Sequence, residues 1–342
     1  MINSQEIGIN DIQLAMGNVR GALTTNLVGA GAERLADDIT ESAFAGQNYL
    51  AEGVPGVSKT EIAKNLGRVF GAGSLGISID SDDNTAVRVF TRAQGAPDRQ
   101  PSDVLGSEVY RMDTGMYIVR KGPIFGHFVL LDELNRFRPN VQAALNEAGS
   151  ERQVTIGDKT IFLPRPFMMI ATQNPHEVGQ GTYGEGDAMI DRFGKSCFTG
   201  MPSADERLAA MTQRSNNQDR QTVEQVLSIE DLPAFQDAIK SKVKFGTGSL
   251  QFAANAIDEV FKADSNKFKV RSGGFRAGDS IVDLAKAKVA SKGKNLVDIE
   301  DVKELIFPVV RHRIEVISGA DNEGALEQLV QDALVRVSSS RK

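Results

Sequence analysis

Residues Gly53 to Thr60 run Gly-Val-Pro-Gly-Val-Ser-Lys-Thr, which matches a phosphate-binding loop at every fixed position except the second glycine, where Ser58 stands. A loop that wraps a triphosphate needs inward-turned backbone N–H groups and a helix N-terminus facing the negative charge. It also needs a lysine for the β and γ phosphates and a hydroxyl for Mg²⁺. Gly53, Val54, Pro55, Gly56, Val57 and Ser58 would form the cradle, Lys59 the cation and Thr60 the hydroxyl. Ser58 fits if its φ stays where a side chain is allowed, since glycine alone enters the left-handed region freely. Taken alone, the same stretch can be a Gly-rich turn.

A second group follows the apolar run His127 to Leu131, where Asp132 and Glu133 stand side by side. Adjacent carboxylates at a strand end suit Mg²⁺-assisted phosphoryl transfer, one holding the metal's water shell and the other orienting and deprotonating the attacking water. In isolation they would be a solvated turn. Asn174 ends the next apolar run, Phe167 to Ala171 followed by Thr172 and Gln173, where its amide could hold the attacking water or touch the γ phosphate. Its plainer role is a turn residue before Pro175.

These groups need a scaffold that brings them to one place. Tyr49 to Glu52, the loop, and the helical spacing of Ile62, Ala63, Leu66 and Val69 read as strand, loop and helix. Three apolar runs ending in polar residues deliver side chains to one rim of a parallel sheet. Val109 to Val119, turning near Asp113-Thr114-Gly115, and Val154 to Leu163, turning at Gly157-Asp158, alternate as inserted β-hairpins. Ahead of the loop, Ile12, Leu14, Ala15, Val19 and Leu23, then Leu35, Ile39 and Ala43, predict two helices joined through Gly29 to Gly31. Beyond Pro202, a plausible domain boundary, the pattern is mainly helical: Ala204 to Thr212, Leu250 to Phe261, Gly278 to Val289, Val297 to Val309 and Glu323 to Val337.

Composition narrows the classes. The 342 residues, 41% of them hydrophobic, suffice for two domains and a real core. Lys and Arg number 39 against 45 Asp and Glu, and the net charge of −6 gives no global attraction to nucleic acid or an anionic membrane. One cysteine, Cys197, excludes an internal disulfide and fits a reducing compartment. With no signal-peptide pattern and no membrane-length apolar stretch, the expected location is the cytoplasm.

Further matches occur in order along the chain. They are Arg92-Ala93-Gln94, Pro101 to Gly106, Gly122 to Phe125, Leu131 to Arg136, Gln142 to Ala148 and Ala171 to Pro175. Gly181 to Tyr183, Asp191-Arg192-Phe193 and Arg311-His312-Arg313 complete the series. Together with Gly53 to Thr60, it resembles the MoxR branch of the AAA+ ATPases over roughly residues 30 to 315. The resemblance implies an α/β P-loop (AAA+) core with a parallel sheet and inserted β-hairpins over about residues 1 to 200. A smaller all-α lid domain over about 201 to 342 would follow, with ATP between the two. Lys59 and Thr60 would then bind phosphate and Mg²⁺, Asp132 the metal, Glu133 would be the catalytic base and Asn174 the first nucleotide sensor. Arg192 would be an arginine finger completing a neighbour's site, its alternative role being a surface ion pair with Asp191 or another acid. Arg276 would be the second sensor, although Phe275 stands where the family has proline. The resemblance also implies a homo-hexameric ring, a protein client, and often a partner with a von Willebrand factor A domain.

Rival functions are a nucleotide-gated scaffold with slow hydrolysis, which an intact Glu133 argues against, and a nucleic-acid motor, which the acidity argues against. Gly71 to Gly76 spells a dinucleotide fingerprint but follows a helix, and Asp80, Asp82 and Asn84 begin a calcium loop that Thr85 and Thr91 do not continue. Lys286, Lys288, Lys292 and Lys294 read as a solvated face, and His127, His176 and His312 lack metal-ligand spacing.

Overall fold

The computed structural model describes residues 2–27, 29–54, 59–71, 87–174, 182–184, 186–215, 221–317 and 322–339. Five parallel strands form the central sheet: β1 (Tyr49–Gly53), β2 (Phe90–Gln94), β3 (Phe128–Asp132), β4 (Met168–Gln173) and β5 (Lys195–Thr199). They lie in the order β2-β3-β4-β1-β5. The three runs expected from the sequence are the three central strands, buried along their whole length. Alternation within them feeds two cores. Phe128, Leu130, Met168 and Ile170 face one side, while Val129, Leu131, Met169 and Ala171 face the other.

Helices α1 (Ile9–Leu23), α2 (Ala30–Ala45) and α3 (Lys59–Val69) join the first core. The buried stripe of α1 is Ile12, Met16, Val19 and Leu23, at spacings of four, three and four, so Leu14 falls on the opposite face and is exposed. Helix α4 (Pro139–Glu151) and two antiparallel hairpins, Gly106–Arg111 with Met116–Lys121 and Gln153–Ile156 with Lys159–Phe162, stand on the other side. The first hairpin exposes Tyr110, Met112, Met116 and Tyr117 around its tip.

Beyond β5 come α5 (Ala204–Ser215), α6 (Leu232–Lys242), α7 (Ser249–Phe261), α8 (Arg276–Ser291), α9 (Ile299–Val310) and α10 (Asn322–Ser339). Two short strand pairs, Lys244–Phe245 with Leu296–Val297 and Phe268–Val270 with Ile314–Val316, tie these helices together. The hydrophobic cluster of α1 and α2 continues without a break through Ile281, Leu284, Leu305 and Val330 of the later helices. Cys197 is buried on β5 opposite Ala51 of β1. Lys288 pairs with Glu304 and Lys292 with the buried Asp301, while Lys286 donates to the Lys240 carbonyl, so the basic run is tied down by partners on neighbouring elements rather than standing as a solvated face. Among the described residues no helix is long and apolar enough to cross a membrane. The segment from 72 to 86, with most of the dinucleotide-like glycines and the calcium-like acids, lies outside the described residues, as does His176.

Candidate active site

Strand β1 ends at Gly53 with φ 144°, and a Cβ there would sit 2.2 Å from the Thr199 carbonyl oxygen, so both conformation and space demand glycine. The Val54 amide donates to that same carbonyl at 3.3 Å. Pro55, Gly56, Val57 and Ser58 lie outside the described residues. Lys59 opens α3 and donates from Nζ to the carbonyl oxygens of Gly53 and, at 3.1 Å, of Gln173, which joins the rims of β1 and β4. Burial lowers its pKa below the ordinary lysine value.

Thr60, one residue on, donates from Oγ1 to Asp132 Oδ1 at 3.3 Å. Thr172 on β4 donates to the same oxygen at 2.5 Å and accepts the Glu133 amide at 3.0 Å, thereby orienting both acids. Arg92 on β2 covers the other carboxylate oxygen, from Nε at 3.0 Å and Nη2 at 2.6 Å. Gln94, two residues on and therefore on the same face of β2, donates to Glu133 Oε2 at 2.7 Å. The hydroxyl of Thr60 and the carboxylate of Asp132 are the hard oxygen donors that Mg²⁺ takes alongside nucleotide phosphates, so these residues fit that ion.

Glu133 has φ 58° and ψ 59°, a left-handed backbone that a glutamate adopts only where its surroundings hold it. Gly95 is part of that hold: its amide donates to the Asp132 carbonyl at 2.7 Å, and a Cβ on it would lie 2.2 Å from the Glu133 carbonyl oxygen. Gly95→Ala is therefore expected to displace the acid pair and reduce turnover about 100-fold. Circular dichroism should show the fold retained. Unchanged turnover would mean that the close approach has no bearing on the base.

The remaining candidates divide. Asn174 follows β4 directly, and its carbonyl accepts from Asn135 Nδ2 at 3.4 Å. Arg192 and Arg276 meet instead at Asp191, which accepts from Arg276 Nη1 at 2.8 Å, Ser272 Oγ at 2.6 Å and Arg313 Nε at 3.3 Å. Arg192 Nη1 is 3.9 Å from the same carboxylate, with its side chain 15% exposed. Burial would raise the Asp191 carboxyl, but hydrogen bonds from Ser272 and Arg276 and the charges of Arg313 and Arg276 outweigh it and hold the pKa below the ordinary value. The roles of Arg92, Gln94 and Thr172 depend on which strands lie side by side and do not follow from residue type alone. The alternation that turns Arg92 and Gln94 to one face was the available signal.

Lys59 and Thr60 at the start of the helix that follows β1, facing an acid pair at the end of β3, the neighbouring-but-one strand, are the arrangement of a P-loop ATPase of the AAA+ class. Residues 48–194 match the model of the ATPase family associated with various cellular activities (AAA), and residues 262–333 match the AAA lid domain. The chain is 30% identical over 289 residues to Chaperone MoxR1 of Mycobacterium tuberculosis, covering 83% of this chain and 72% of that protein. It is also 30% identical to the uncharacterised protein YeaC of Bacillus subtilis, covering 84% and 82%. A crystal structure of a candidate ATPase from Cytophaga hutchinsonii superposes with TM-score 0.77 at 26% identity, over 94% of this chain and 95% of the other. The chain belongs to the MoxR family of AAA+ ATPases and is an ATP-hydrolysing enzyme.

Proposed function

We propose that the protein hydrolyses ATP with Mg²⁺ as a cytoplasmic homo-hexameric ring and uses the cycle to remodel a protein client. The convergence of Lys59, Thr60, Asp132 and Glu133 at one rim of the sheet carries this reading. Lys59 takes the β and γ phosphates, while Thr60 and Asp132 would hold Mg²⁺, which neutralises phosphate charge when bound. Glu133, steered by Gln94, accepts the proton of the attacking water, and Asn174 orients that water or the γ phosphate. Residues 1 to 200 act as the nucleotide-binding unit and 201 to 342 as the lid, with Arg276 as its sensor. Arg192 completes the site of the adjacent subunit, where a cation stabilises transition-state charge.

Remodelling is supported by the mycobacterial relative's description as a chaperone and by the hairpin tip. Tyr110, Met116, Tyr117 and Met112, the last 93% exposed, make an adaptable apolar surface suited to unfolded segments. A partner with a von Willebrand factor A domain belongs to the same proposal. ATP hydrolysis per subunit, measured against protein concentration with Mg²⁺ and with Glu133→Gln as the blank, is expected to rise as subunits assemble. Activity independent of concentration would remove the ring and the trans-acting Arg192 from the proposal.

A further inference from the structure

Three consecutive side chains of the turn after α9 point inward, and each is polar: Arg311, His312 and Arg313 are 6%, 6% and 1% exposed. Burying two guanidinium groups in one turn is costly unless each is paired. Each is paired, and with a different part of the site.

Arg311 Nη1 donates to Glu52 on β1, the residue before Gly53, and its other nitrogens grip Glu323 in the first turn of α10, with Nε 3.0 Å from Oε2. Glu52 also accepts from Gln173 Nε2 at 2.8 Å, and the Gln173 carbonyl is one of the two oxygens on which Lys59 rests. His312 lies between Ser196 Oγ and the Phe193 carbonyl, at 2.9 Å from each. Arg313 donates to the Phe193 carbonyl at 2.9 Å and to Asp191, the carboxylate that also holds Arg276. One turn thus touches the strand that feeds the phosphate loop, the C-terminal helix and the anchor of both candidate arginines.

We propose that the Arg311–Arg313 turn is a relay: Arg311 carries the state of the phosphate loop from Glu52 to α10 through Glu323, while Arg313 fixes Asp191 and with it the placement of Arg276 and Arg192. These are positioning residues that act through others. The inference rests on nucleotide binding at Lys59. Phosphate arriving there competes for the ammonium that joins the rims of β1 and β4, and Glu52 and Gln173 are the side chains at that junction. Arginine suits the task because its planar fork spans two carboxylates at once, whereas a lysine ammonium is a point charge.

Hydrogen–deuterium exchange of the full chain, with and without ADP and Mg²⁺, tests the relay. In the wild type, ADP is expected to slow exchange in α3, in residues 187–194 and in α10, the last by about tenfold. Glu323→Gln changes a partner that is 31% exposed at its side chain, so the buried Glu52–Arg311 pair and the fold should persist. In that variant, protection of α10 by ADP should disappear while protection of α3 and the ADP affinity remain. Arg311→Lys, which keeps the charge, should likewise lose the response of α10. ADP protection of α3 without any response in α10 of the wild type would end the relay proposal alone, as would an undiminished α10 response in both variants. Absence of protection at α3 itself would overturn nucleotide binding at Lys59 and the relay with it.

Discussion

Glu133→Gln is expected to lower hydrolysis per subunit by about 10²- to 10⁴-fold while leaving nucleotide bound. The substitution preserves the size of the side chain and an oxygen that can still accept from Gln94, so the loop geometry stays. What it removes is the carboxylate that takes a proton from water. The backbone is left-handed at this residue and is held by Thr172 and Gly95 rather than by the side chain, so the amide should occupy the place of the acid. Phosphate release measured beside fluorescent-nucleotide binding separates the two effects. Equal loss of binding and turnover would show Glu133 to be a structural acid, and the base would have to be sought elsewhere on the rim.

Asp191→Asn is expected to destabilise the fold by about 3–5 kcal/mol, the usual cost of leaving a buried charge without its partner. Arg313 is 1% exposed, and burial already pushes its guanidinium down to about 10, so loss of the carboxylate strands a cation that water does not reach. The pH dependence gives an internal control. The Asp191 carboxyl is held below its ordinary value in the folded chain, so its stabilisation is present above the unfolded pKa of about 3.9 and is lost as pH falls through the folded pKa. Urea titrations at pH 7 and in steps below pH 4 should therefore show the gap between wild type and variant narrowing with acid. A gap that is small at pH 7, or that ignores pH, would mean that Ser272, Arg276 and Arg313 find other acceptors.

The parts of this fold that were legible in the sequence are those where burial alone decides the residue type. Strands β3 and β4 are covered on both faces and begin as continuous apolar runs, β1 is apolar up to the buried Glu52, and a glycine marks the turn of each hairpin. Strands β2 and β5 did not stand out because charged residues sit within them. Lys195 is buried on β5 only because Asp38 and Glu41 of α2 neutralise it, and Arg92 is tolerated on β2 because Asp132 lies beside it. Such compensation comes from distant segments and leaves no local signal. The same limit applies to the site. Lys59, Thr60, Asp132 and Glu133 follow from chemistry at fixed spacing, whereas the supports supplied by Gln94, Thr172 and Arg313 depend on the order of strands in the sheet.

Cys197 lies on β5 against Ala51 of β1, 1% exposed, with its thiol raised above the ordinary pKa by burial. As the chain's lone sulfhydryl it is a built-in clock for opening of the sheet edge beside the phosphate loop. A thiol reagent can modify it only while β5 is parted from its surroundings, so the labelling rate counts those excursions. Any ligand that binds only the closed sheet must slow that clock in proportion to its affinity, without a reporter group being introduced into the protein.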